Sequence, residues 1–164
     1  MKKGMIILFA VTILLMISTG CTSQDTEVNS TGTIGEGSSI EQIDFEVSIN
    51  GIKFTQEDVE DLDYVTKEVK KTSKEGEVEE VSCSGYQIDG LLQAAGVTEY
   101  SSVTVAASDG YSAEITEEQA KLETTILGLS QEGEQLKADE LPMLVVDGEG
   151  SKTWVKGITT VTTK

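Results

Sequence analysis

Histidine and arginine are both missing from this 164-residue chain: it has no histidine, and all 12 of its basic residues are lysines. The first absence removes the side chain that ordinarily exchanges protons near neutral pH. The second removes the planar fork that captures oxyanions through paired hydrogen bonds. Many enzyme classes fit poorly on those two grounds alone. Cysteine is scarce too, with only Cys21 and Cys83, too few for a multi-thiolate metal site. Positive charge is outnumbered by 29 Asp plus Glu, for a net charge of −17. Such a surface repels nucleic acid and anionic lipid, so no nucleic-acid partner is expected. The sequence shows no internal repeat, no heptad pattern and no glycine-rich phosphate loop.

What is present begins at the N-terminus. Lys2 and Lys3 precede an unbroken apolar run over residues 5–17, the small residues Ser18, Thr19 and Gly20, and then Cys21. A basic start, a short apolar stretch and small residues before the cut form a secretory signal. The run is too short for a membrane-spanning helix, which needs roughly 20 residues. With cysteine in the first mature position, the segment resembles a bacterial lipoprotein precursor. That resemblance implies cleavage after residue 20, lipidation of Cys21 and a membrane partnership through the lipid anchor on the extracytoplasmic face. Two acyl chains anchor stably where one binds only marginally. The mature chain keeps 10 lysines against 29 acids, a net charge of −19. With Cys21 lipidated, Cys83 has no partner for an internal disulfide, so the fold must stand on its core.

Three divisions follow: a signal peptide at residues 1–20, a lipidated Ser/Thr/Gly-rich tether at 21–40, and one domain at 41–164. In the domain, Phe45, Val47 and Ile49 alternate with polar residues before the turn pair Asn50 and Gly51, which predicts a strand or hairpin continuing through Ile52 and Phe54. Thr55 with Asp58 predicts a capped short helix burying Val59 and Leu62. Alternating branched and charged residues over 64–72 and 77–83 predict an antiparallel hairpin. Ile88, Leu91, Leu92 and Ala95 fall at helical spacing, with Gly96 where a left-handed C-terminal residue belongs. Val103 and Val105 predict a strand turned by Asp109 and Gly110, and Thr116 to Gln119 a capping box opening a third helix through Leu122. Residues 124–129, 143–146 and 158–163 are β-rich.

The run over residues 84–97, SGYQIDGLLQAAGV, resembles the "xGVxLxDLLxxAGV" segment of the oxidoreductase molybdopterin-binding (sulfite oxidase-like) domain. Residues 103–111 (VTVAASDGY) are similar to that family's strand and "SxDGY" turn, residues 112–119 to its following helix entry, and residues 141–154 to its closing motif. The similarity spans about residues 49–164, in order. It implies an α+β fold with a mixed sheet, of the sulfite oxidase catalytic-domain type in minimal form. It also implies a catalytic role for Tyr111 and cofactor contacts from Asp109, Lys152 and Trp154.

The family holds molybdenum through a pterin dithiolene and one cysteine upstream of the glycine segment. Residues 64–82 contain no cysteine, so Cys83 serves as metal ligand only with a shift of register. As a lone thiol it also suits a half-buried strand position. The family's arginines have no counterpart, and its lysine before tryptophan is Thr153 here. Molybdenum cofactor enters folded protein in the cytoplasm, whereas a twin-lysine signal threads an unfolded chain. The leading expectation is therefore a degenerate, cofactor-free binding or accessory module with an extracytoplasmic redox partner or small ligand. The enzyme alternative is a molybdopterin oxidoreductase with Cys83 on the metal and Tyr111 near substrate, and a third reading is a purely structural surface domain. The acids at 57–63 and at Asp147 and Glu149 fit no EF-hand loop.

Overall fold

A computed structural model describes residues 43–164, so the signal peptide, Cys21 and the tether lie outside the described residues. Ten strands and three short helical segments form two sheets. The first has the order β2-β1-β10-β5-β6. It is built from β1 (Glu46–Ile49), β2 (Ile52–Thr55), β5 (Ser102–Ala107), β6 (Ser112–Thr116) and β10 (Ile158–Thr163). Only its β1–β10 pair is parallel; the other pairs are antiparallel. The second, wholly antiparallel, runs β3-β4-β7-β8, with β9 also on β7. Its strands are β3 (Tyr64–Thr72), β4 (Val78–Gln87), β7 (Ile126–Gln131), β8 (Glu134–Gln135) and β9 (Met143–Val145).

Turn chemistry places several of these strands. Asn50 and Gly51 take φ of 49° and 85°, the two positive values that a two-residue hairpin turn of type I′ requires, and they join β1 to β2. The Asp58 carboxylate accepts from the Thr55 amide at 2.8 Å and hydroxyl at 2.9 Å, starting a 3-10 turn over Gln56–Val59. Those two bonds hold the Asp58 carboxyl below its usual range. α1 (Ile88–Ala94) buries Ile88, Leu91 and Leu92, and Gly96 follows it at φ 79°.

Two apolar clusters flank the second sheet. The larger joins it to the first sheet, with Val47, Ile49, Val103, Val105 and Val161 on one side and Tyr86, Leu127, Leu129 and Leu144 on the other. The smaller lies on the opposite face and holds Val69, Val81, Cys83, Ile126, Met143, Val145 and Trp154. Strands β7 and β9 are therefore buried on both faces, which is why they read as continuous apolar runs rather than alternating ones.

This architecture corrects the α+β expectation. Strands account for 46% of the described residues and helix for 12%, so the domain is a small β-rich one, and the sulfite oxidase catalytic-domain-like fold is set aside. The third helix signal was a terminal signal without an apolar stripe behind it. The capping box at Thr116 is present, its hydroxyl accepting from the Gln119 amide at 3.2 Å. Yet α2 spans only Glu117–Ala120 and buries Ala120 alone, while Leu122 is 47% exposed. A cap starts a helix, but packing of an apolar face sustains it. Residues 112–116, expected to lead into that helix, are edge strand β6.

Candidate functional site

Strand β5 ends at Ala107 and the chain reverses through Ser108, Asp109 and Gly110. The Gly110 amide donates to the Ala107 carbonyl at 3.1 Å, and the Ala107 amide to the Tyr111 carbonyl at 2.8 Å. The Asp109 carboxylate accepts from the Tyr111 amide at 2.8 Å, and Gly110 sits at φ 86°, a region open to glycine without strain. The turn is thus tied from within and presents Tyr111, whose side chain remains 46% exposed. Its hydroxyl donates to the Lys152 carbonyl at 2.7 Å, joining this turn to the loop after β9.

That loop has fixed partners. Asp147 accepts from the Lys70 amide at 2.7 Å, the Gly148 amide donates to the Lys70 carbonyl at 2.8 Å, and the Thr72 amide donates to the Glu149 carbonyl at 3.1 Å. The Gln119 side-chain amide donates to the Glu149 carboxylate at 2.9 Å. The loop therefore lies along the end of β3, holds α2 and receives the Tyr111 phenol. Tyr111, Asp109 and Lys152 come together there, with Asp109 and Lys152 both exposed.

Trp154 does not join them. It is 5% exposed within the smaller cluster, and its indole N–H donates to the Val146 carbonyl at 2.9 Å. The Lys71 ammonium sits 5.1 Å from its ring centroid. Its surroundings are those of a packing residue with its one donor satisfied, and the ring faces the interior rather than a ligand.

Cys83 lies on β4 opposite Lys67 on one side and Gln131 on the other. It is fully buried in the same cluster as Trp154. Burial first, and the Glu132 carboxylate second, push its thiol up to about 11. The sulfur is enclosed by apolar side chains, among them Val69, Val81, Met143 and Trp154. Among the described residues no His, Cys, Asp and Glu cluster is gathered to hold a metal ion. The residues around Cys83 do not fit a molybdenum–pterin group.

One feature escaped the sequence reading: an open depression of about 450 Å³ lined by Asp44, Phe45, Glu46, Thr55, Gln56 and Glu57. Beneath it the Gln56 side-chain amide donates to the Tyr86 hydroxyl at 2.9 Å, and Phe45 packs on Tyr86 with ring centroids 6.2 Å apart. The only signal there was the hairpin and the Thr55 cap, which carry no chemistry of their own. Compared with known proteins, the chain matches no family model and no curated sequence, so the molybdopterin-domain resemblance rests on the motifs quoted above.

Proposed function

We propose that the chain is an extracytoplasmic lipoprotein, anchored to the membrane through Cys21, whose domain works as a ligand-binding or redox-accessory module without molybdenum. The observation that carries the second half is the sealed thiol: the cysteine that a molybdenum enzyme would need is fully buried as a packing residue of the smaller apolar cluster. The first half is supported by the run of Lys2, Lys3, an apolar stretch and Cys21. The ligand-facing surface of the module is the exposed Tyr111 ring with Asp109 and Lys152 beside it. Trp154 supports that surface from below by holding the loop through Val146.

Growth in labelled palmitate tests the anchor. Label is expected on the wild-type chain in the membrane fraction and absent from the Cys21→Ser variant, which should move to the soluble fraction. An unlabelled wild-type chain, or an equally labelled variant, would contradict it.

A further inference from the structure

The second sheet has an unequally covered edge. On β3, the outward main-chain groups of Lys70 and Thr72 are taken by the 147–151 loop. Alternate residues of an antiparallel strand point their N–H and C=O to the same side, so Tyr64, Thr66 and Glu68 present theirs to that edge as well. Among the described residues, no hydrogen bond reaches those groups. The other edges are shorter and stopped by side chains. The β2 edge ends with the Thr55 amide on Asp58, and the β6 edge ends with the Thr116 amide on the Gln119 side chain at 3.0 Å. An uncovered strand edge is a template for another strand.

Charge identifies the occupant. Asp61 and Asp63 precede the open stretch and Glu68 lies within it, on a chain of net charge −17, while Lys70 just beyond it stands opposite Glu80 on β4. Lys67, the lysine of the open stretch, is paired with Glu123 at 3.3 Å. The two faces of the strand differ as well. Thr66 and Glu68 are exposed on one face, while Val65 on the other packs against the smaller apolar cluster. We infer that residues 64–68 of β3 are a strand-addition site for an extended basic segment of a partner protein, with alternating basic and apolar side chains. Main-chain bonds supply the affinity, and the alternation supplies the choice of partner. The basic side chains lie over Glu68, and the apolar ones extend the cluster beyond Val65. A second copy of this chain is the poorer occupant, because its net charge of −17 opposes the approach. The inference rests on the binding-module reading, but palmitate labelling and metal content are read independently of it.

The test is a titration of the isotopically labelled lipoprotein, in detergent, with a peptide of five Lys-Val repeats and one of five Glu-Val repeats. The Lys-Val peptide is expected to shift and protect the amides of Tyr64, Thr66 and Glu68, and the Glu-Val peptide to leave them unchanged. Thr66→Pro removes an outward N–H that the native fold does not use, a position where an edge strand tolerates proline. It should weaken the Lys-Val peptide about tenfold, the loss expected when one main-chain bond is removed and the approach crowded. Glu68→Lys, an exposed substitution, should weaken it too and serves if the proline variant does not fold. Equal affinity for wild type and both variants would overturn the proposal. So would protection of the same amides that rises with protein concentration without peptide, which would mark a second copy as the occupant.

Discussion

Cys83 and Trp154 stand within one apolar cluster on the same face of the second sheet, and both are held by what surrounds them. For Cys83 the consequence is a pH-dependent stability with a definite sign. Below the ordinary thiol value of 9.0, folded and unfolded chains both keep the proton, and the group contributes nothing. As pH rises through 9.0 the unfolded chain releases its proton while the folded one holds it to about 11, so the unfolded state binds fewer protons and stability falls across that window. A melting-temperature series from pH 8 to 11 should show this decline in wild type and a smaller one in Cys83→Ala at matched buffer conditions. The native thiol should also react slowly with a disulfide reagent at pH 8 and rapidly once the chain is unfolded. A fast native reaction would mean that the group is open to solvent and available as a ligand.

At the scale of elements, the β4–β7 pairing depends on Gly85. The register shifts between Ser84 and Gly85, and a Cβ built at Gly85 would lie 2.0 Å from the Leu127 carbonyl oxygen. Two backbones meet there with no room for a side chain. Gly85→Ala should cost on the order of 3 kcal/mol, the upper part of the overpacking range, measured by chemical denaturation; a loss below about 1 kcal/mol would show that the strands separate easily.

This glycine stood in the sequence as part of a motif resemblance, and only the pairing shows what it is for. Other elements were legible directly. Asn50 and Gly51 announced the β1–β2 hairpin because few residue pairs accept two positive φ values, and the threonine-rich end of the chain is strand β10, although its buried Ile158 and Val161 fall three apart because the register shifts between Ile158 and Thr160. Strand β6 was hidden because Ile115 is its one buried residue and its neighbours spell a capping box. Strand β8 has two exposed residues and no apolar signal, although Glu132 and Gly133, at φ 52° and 77°, form the same kind of turn as Asn50 and Gly51. Of the candidate site, the Asp109–Tyr111 turn was legible from its residue types. The burial of Trp154 was not, because it depends on the 147–151 loop folding back along β3 across more than 70 positions of sequence.

At the scale of the whole molecule, a net charge of −17 over the chain makes association with cationic partners strongly dependent on ionic strength, with screening over about 10 Å at 0.1 M salt. The described domain contains no helix long and apolar enough to cross a membrane, and the account assigns attachment to Cys21 and distance from the bilayer to residues 21–40. The central claim is that the proposed module works without molybdenum, the lone cysteine of its domain serving packing. Its most direct test is the molybdenum and pterin content of the lipoprotein released under mild conditions from its native membrane, by elemental analysis and by fluorescence after oxidation. The account predicts neither above background, whereas stoichiometric molybdenum with pterin would contradict it and return Cys83 and Tyr111 to the chemistry.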